Sequence, residues 1–318
     1  MNRWLRSLLT AVMVVGLCWA GPAQLALAAR SEAVATSAPP VPLLWKVSNK
    51  DGTALYLLGS FHMLKADDYP LSSDVHAALE ASARVLFELS PEEMNSPVLA
   101  RSMLQAAMYT GGRQLRDDLA PATWQQLQAH AQANQLPLAS LAMTKPWFVA
   151  LSISMAEMAR QGMDAQAGLD RHLMARAAEA GKQTGGLETA ATQIAMLDGM
   201  APVEQQQLLS EALQQAGNGE LSRRLHDAWR RGDDRMLWEE MAQQMRRDYP
   251  QLYQRINVDR NDAWLPALEQ RLQAGQGNTL VVVGALHLLG SDGVVEKLRT
   301  RGYAVERICS ACGRKGHR

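Results

Sequence analysis

Two stretches of the 318-residue chain end an apolar run with glycine, two further residues and histidine. They are "YLLGSFHML" at 56–64, with Gly59 and His62, and "LVVVGALHLL" at 280–289, with Gly284 and His287. Two glutamates stand after other such runs, Glu88 behind "RVLF" and Glu188 behind "TGGL". Two imidazoles with one or two carboxylates and no thiolate form a ligand set suited to Zn, Mn, Co or Fe. An ion held this way polarises a carbonyl and lowers the pKa of bound water toward about 7, while a spare carboxylate can take that water's proton. One Gly-x-x-His is weak, because a single histidine beyond a strand is more often a hydrogen-bonded loop residue. The parallel placement of two favours a functional role for both.

The elements that would have to bring these residues together can be read from the same stretches. Residues 54–58 are continuously apolar, as in a strand buried on both faces, and 59–69 read as a loop. Pro70 and the run Ser72-Ser73-Asp74 start a helix over 75–83, and 84–89 form a second strand. The same order returns with a strand at 279–283, a loop to 292, a helix over 293–301 and a strand at 303–308. This predicts an α/β fold, with a mixed or parallel sheet built from two β-α-β units and a large helical insertion, about 92–275, between them. Ligands of an open parallel sheet bind beyond the carboxyl ends of its strands, so His62, Glu88, Glu188 and His287 are expected along one edge. Gly59 and Gly284 would let the backbone turn off each strand without a Cβ clash.

The insertion is rich in Ala, Gln, Leu, Met, Glu and Arg, which predicts helices over 123–133, 145–160, 169–180, 202–215, 219–231, 234–247 and 258–274. "KQTGGLET" at 182–189 interrupts them as a short strand running into a turn. Glu188 has two readings there: a ligand or base at the site, or an acid at the start of a helix near Thr189. Arg260 and Asn261 open the helix at 258; if they face the site, Arg260 can hold a carboxylate or steady an oxyanion. Trp147, Trp229, Trp238 and Trp264 read as core packing, and His76, His130, His172 and His226 as solvated helical residues. No His-Glu-x-x-His, Gly-x-Ser-x-Gly or phosphate-loop pattern occurs.

Bulk properties narrow the class further. Arg3 and Arg6 precede an apolar run and small residues ending at Ala28, the pattern of a secretory signal over 1–28. A flexible leader follows over 29–42, and ordered structure is expected from Leu43. Cleavage after Ala28 removes two arginines and no acid, leaving a slightly negative protein with no electrostatic case for nucleic acid or an anionic membrane. Export to the periplasm or the outside, without stable membrane insertion, is therefore expected, with a peptide or other small molecule as substrate. Of three cysteines, Cys309 and Cys312 would remain; in the tail 309–318, with His317, they lack a fourth ligand for zinc, and a disulfide is expected.

Gly59-Ser60-Phe61-His62, Phe87-Glu88-Leu89, Gly186-Leu187-Glu188-Thr189, Arg260-Asn261 and Gly284-Ala285-Leu286-His287 together resemble the TraB/GumN family, which includes the TIKI proteins. The resemblance spans about 43–308, a single domain. It implies a metal-dependent, peptidase-like hydrolase, with Mn or Co in its TIKI members; together with the ligand set this leads to an expected divalent ion, Mn, Co or Zn. His62, Glu88 and His287 would be metal or catalytic positions, with Glu188, Arg260 and Asn261 in support. Asp259 stands where the family pattern has Glu, and the Cys-x-x-Cys tail is outside the pattern. Two rivals keep the same residues: an esterase-like hydrolase with histidine as base and no metal, and a protein that binds a peptide or saccharide fragment without turnover.

Overall fold

The computed structural model describes residues 38–312. The expected signal at 1–28, most of the expected leader and His317 lie outside them. Among the described residues no helix is long and apolar enough to cross a membrane.

Six strands form one mixed sheet in the order β4-β3-β5-β2-β1-β6. Their ranges are β1 Leu44–Ser48, β2 Ala54–Ser60, β3 Arg84–Phe87, β4 Gln183–Gly186, β5 Thr279–Gly284 and β6 Ala304–Arg307. β2, β3, β4 and β5 are mutually parallel through the pairs β2–β5, β5–β3 and β3–β4. β1 is antiparallel to both β2 and β6, so it alone reverses the direction of the sheet. The two expected β-α-β units are present but interleaved. The first, through the helix Ser73–Glu80, passes over β5 to reach β3; the second, through Val294–Thr300, passes over β2 and β1 to reach the far edge. This places β2 and β5, the two strands that precede the histidines, side by side at the centre. Leu55, Leu57, Leu58, Val85, Phe87, Val281 and Val282 are buried between helices on the two faces, which is why these strands are apolar without alternation.

The insertion is helical apart from β4. Pro146–Arg160 and Pro202–Gln215 pack against each other, and Leu169–Glu179, Glu220–Arg231 and Asp259–Gln273 close on the sheet. One expected helix is interrupted and another is preceded by a wider turn. The segment 234–247 contains a wider π turn at Glu239–Gln243, and a second one, Gln254–Val258, runs directly into Asp259–Gln273.

The chain is packed before Leu43. Pro40 and Pro42 are buried, the Val41 amide donates to the Arg230 carbonyl at 2.8 Å, and the Pro40 carbonyl accepts from Ser72 N–H at 3.1 Å. At the other end, a disulfide joins Cys309 and Cys312, and Ser310 donates through its amide to Asp74 Oδ2 at 2.7 Å.

His226 corrects the expectation of a solvated residue. It is buried, with Nε2 at 2.7 Å from Asp68 Oδ2, and Arg230 bonds the other Asp68 oxygen. One turn of helix brings both residues to this carboxylate, since i and i+4 share a face. Burial would raise the Asp68 pKa; the His226 hydrogen bond, the Lys65 amide and Arg230 outweigh it and hold the group below its ordinary value. This contribution to stability is present above the unfolded carboxyl pKa and is lost as pH falls through the lower folded value. Asp68→Ala should therefore cost about 3–5 kcal/mol in urea unfolding at pH 7, by leaving buried partners unpaired. The deficit should shrink as pH falls below about 4; a pH-independent deficit would contradict this origin.

Candidate functional site

The four residues expected at strand ends each follow the carboxyl end of a parallel strand, Glu188 after β4, Glu88 after β3, His287 after β5 and His62 after β2, while Arg260 and Asn261 lie in the first turn of Asp259–Gln273. The spatial order of the strands is therefore the order of the side chains along the edge. A Cβ built on Gly284 would lie 3.3 Å from Glu88 Oε1, 3.5 Å from His287 Cδ2 and 3.8 Å from His62 Nε2. The two imidazoles and the first carboxylate thus meet around one point of backbone.

The glycines owe their place to this crowding rather than to a turn, contrary to expectation. Gly59 lies inside β2, where a Cβ would press on Ala285 at 3.1 Å and Leu43 at 3.2 Å. Gly284 has φ −49, open to any residue, and what it spares is the space among Glu88, His287 and His62. Gly284→Ala should consequently leave the melting temperature within about 2–4 °C of wild type. In an assay of any reaction carried out at this centre it should lower kcat/KM by roughly tenfold to a hundredfold, because small displacements of reacting groups are expensive. Equal activity in a folded variant would show that this space is not used.

Arg260 and Asn261 hold His287 from two sides. The guanidinium, a donor only, gives Nη1 to His287 Nε2 at 3.0 Å, so the ring proton must be on Nδ1. His287 Nδ1 donates it to Asn261 Oδ1 at 2.7 Å, and Asn261 Nδ2 donates to the Asp292 carbonyl at 2.8 Å, which fixes the orientation of the amide. Burial, then the charge of Arg260, pushes the His287 pKa down to about 3, so the ring is neutral. The π turn at Gln254–Val258 immediately precedes these residues and is a feature common at functional sites.

Both glutamates turn to the same cation. Arg260 Nη2 bonds Glu88 Oε2 and Glu188 Oε1, and Arg260 Nε lies 3.1 Å from Glu188 Oε1. Glu88 Oε1 accepts the Gly284 amide at 2.7 Å. Burial would raise the Glu88 pKa, yet Arg260, followed by His287 and His62, holds it down at about 2. Glu188 does not cap the following helix: Thr189 does, through its hydroxyl to the Thr192 amide at 3.2 Å. Trp264 covers the cluster, its ring 4.6 Å from that of His287 and 5.0 Å from the Arg260 guanidinium carbon. Core packing thus describes Trp264 incompletely.

Asp170 is the site residue that sequence reasoning missed. Its Oδ2 is 2.7 Å from His62 Nδ1 and its Oδ1 accepts from Ser60 Oγ at 3.0 Å. Burial disfavours the His62 cation, but the charge and hydrogen bond of Asp170 prevail and raise its pKa to about 9. Leu169–Glu179 supplies Asp170 in its first turn, where an acid is commonplace, so spacing alone gave no signal. The Leu169 amide, bonded to the Phe61 carbonyl at 3.0 Å, fixes that helix to the histidine loop. On the other side Trp229 Nε1 donates to the Gly59 carbonyl at 3.0 Å. His76, His130, His172 and the Cys309–Cys312 tail take no part in these contacts; His172 packs on Tyr69 at 4.2 Å.

Fold and site together define an α/β protein with a histidine–glutamate–arginine centre on the carboxyl edge of its parallel strands. Residues 43–307 match the TraB/PrgY/gumN family, and the chain belongs to that family. No curated protein and no solved structure matches it.

Proposed function

We propose that the chain is an exported hydrolase that cleaves an amide bond in a peptide with the help of a divalent ion, Mn, Co or Zn. The observation that carries this reading is the shared anchoring of the two imidazoles. Each is tied at Nδ1 to a side-chain oxygen, Asp170 for His62 and Asn261 for His287, the outer contact that orients a ligating ring; Nε2 of His287 would have to exchange its bond from Arg260 for the ion. The donor types fit such an ion, and Glu88 and Glu188 against the single Arg260 give the centre an excess of negative charge. The residues that would hold it are His62, Glu88 and His287. When bound, the ion supplies Lewis acidity toward a carbonyl oxygen and acidifies water.

The other work falls to the chain itself. Asp170 orients His62, Asn261 sets the His287 tautomer, and Arg260, whose N–H groups go to Glu188, Glu88, His287 and the Ile256 carbonyl, holds both carboxylates and the ring in one arrangement. Glu188 keeps the guanidinium in place. Export is supported by the basic and apolar pattern ending at Ala28 and by the Cys309–Cys312 disulfide, which suits an oxidising compartment.

A metal-free reading has one observation in its favour. Among the described residues no three His, Cys, Asp or Glu side chains form a closed ligand set, and His287 Nε2 is bonded to Arg260 instead. In that reading His62 with Asp170 handles the proton, and Arg260 and the protonated His62 are the cations of the centre. Chelator-treated protein assayed on a peptide pool with Mn, Co and Zn added separately decides between them. The expected result is activity restored by one ion in wild type and absent in His62→Ala and His287→Ala. Activity indifferent to chelation sinks the metal; no cleavage under any condition sinks the hydrolase.

A further inference from the structure

The sheet has two edges, and β4 is the one that ends at the site. Its only strand partner is β3. Leu187 N–H, just beyond β4, points to β3 and bonds the Phe87 carbonyl at 2.8 Å, whereas Lys182 N–H, just before it, points the other way to the Ala177 carbonyl at 2.9 Å. Alternate residues of a strand direct their main-chain groups to the same side. Gln183 and Gly185 therefore face β3 with Leu187, and Thr184 and Gly186 face outward with Lys182. Among the described residues, no hydrogen bond outside the sheet reaches the N–H or C=O of either.

Edge strands are ordinarily blunted by charge, proline or a bulge. β6 follows this rule with Glu306 and Arg307; β4, "QTGG", has neither charge nor proline, and its two glycines put no side chain in the way. Two residues past its end Glu188 is bonded to Arg260. Beyond that lies a groove of about 440 Å³ between Pro97–Ala107 and Ala190–Asp198, lined by Val98, Leu99, Ala190, Ala191 and Ile194. Its rim residue Val98 is 57% exposed, and Glu93 and Asp198 add carboxylates to the lining.

We infer that β4 is the docking edge for the substrate, an extended peptide that adds as a strand beside Thr184 and Gly186 and places an apolar side chain in this groove. The inference rests on the reading of the site as an amide hydrolase and assigns the edge on which its peptide substrate docks. Free N–H and C=O groups repeating every second residue are matched by a peptide main chain in β conformation and not by a saccharide. Main-chain pairing then supplies affinity, and the groove supplies selectivity.

The probe is a fluorescein-labelled synthetic peptide of alternating leucine and serine, with chelator present so that it is bound and not cut. Methylating its backbone nitrogens one at a time should weaken binding about tenfold at alternate positions and little at those between, since each affected site loses a hydrogen bond and gains a clash. Thr184→Pro removes an outward-facing donor at a position where an edge strand accepts proline, and should weaken binding about tenfold with the fold kept. Should that variant unfold, the methylated peptides decide alone. No binding to wild type, or methylation effects without a period of two, overturns the inference. So does a wild-type dimer that Thr184→Pro dissociates without changing peptide affinity, which would make β4 a seam between copies. The two readings fail separately: periodic binding without cleavage under any metal leaves β4 standing and removes the hydrolase, and cleavage without periodicity does the reverse.

Discussion

Arg260→Ala should unfold about 3–5 kcal/mol more easily than wild type in urea at pH 7, the largest loss of any single change at the site. Glu88 and Glu188 retain only 4% and 7% of their side-chain exposure, and the guanidinium is their shared counter-charge. Removing it leaves two carboxylates in a poorly solvated place beside each other. Arg260→Lys should recover only part of the loss, because an ammonium cannot form the fork that reaches both glutamates and His287 together.

The pH dependence should also change sign. In wild type, Glu88 has a folded pKa near 2, below its unfolded value of about 4.3, so its contribution to stability is present above that value and lost on acidification. Without Arg260, burial is opposed only by His287, His62 and the Gly284 amide, so the Glu88 pKa rises and the variant's deficit should narrow as pH falls. A loss under about 1 kcal/mol, with the same pH profile as wild type, would mean that the cluster is hydrated and not held as described.

Asp170→Asn is the second large effect, and it acts on activity. Loss of an outer partner to a functional histidine typically costs about 10–100-fold, and kcat should fall by that factor. The carboxamide keeps the shape of the carboxylate it replaces and can still accept from Ser60, so gross unfolding does not explain the loss. A separate readout comes from stability. The folded His62 pKa of about 9 exceeds its unfolded value of 6.5, so the pair's contribution is fully present below 6.5 and disappears as pH rises through about 9. The difference in melting temperature between chelator-treated wild type and Asp170→Asn should follow that course. A difference that instead grows above pH 9 would show that Asp170 does not stabilise an imidazolium.

Much of this centre is legible in the sequence alone. His62, Glu88, Glu188, Arg260, Asn261 and His287 are all candidates there; hydrogen bonds join the last five, and His62 stands beside them across Gly284. They can be found because strands buried on both faces are apolar, so a histidine or glutamate at their end interrupts an otherwise uniform run. β1 goes unread in "LWKVS", although its Leu44-Trp45-Lys46-Val47-Ser48 pattern matches a strand with one partly open face. His226 is misread because a polar neighbourhood in sequence says nothing about Asp68, 158 positions away. Asp170 carries no mark to separate it from an ordinary first-turn acid.

The sequence by itself determined five of the six strands, most of the helices between them and the residue types at the strand ends, since these follow from local apolar patterning. Tertiary structure alone decided the strand order, with β5 between β2 and β3, and hence which side chains are neighbours. It also decided the partners: Arg260 for both glutamates, Asp170 for His62, Asn261 for His287. Protonation and charge in a buried site depend on what lies within a few ångströms, and that distance is fixed by packing between distant segments, not by spacing along the chain.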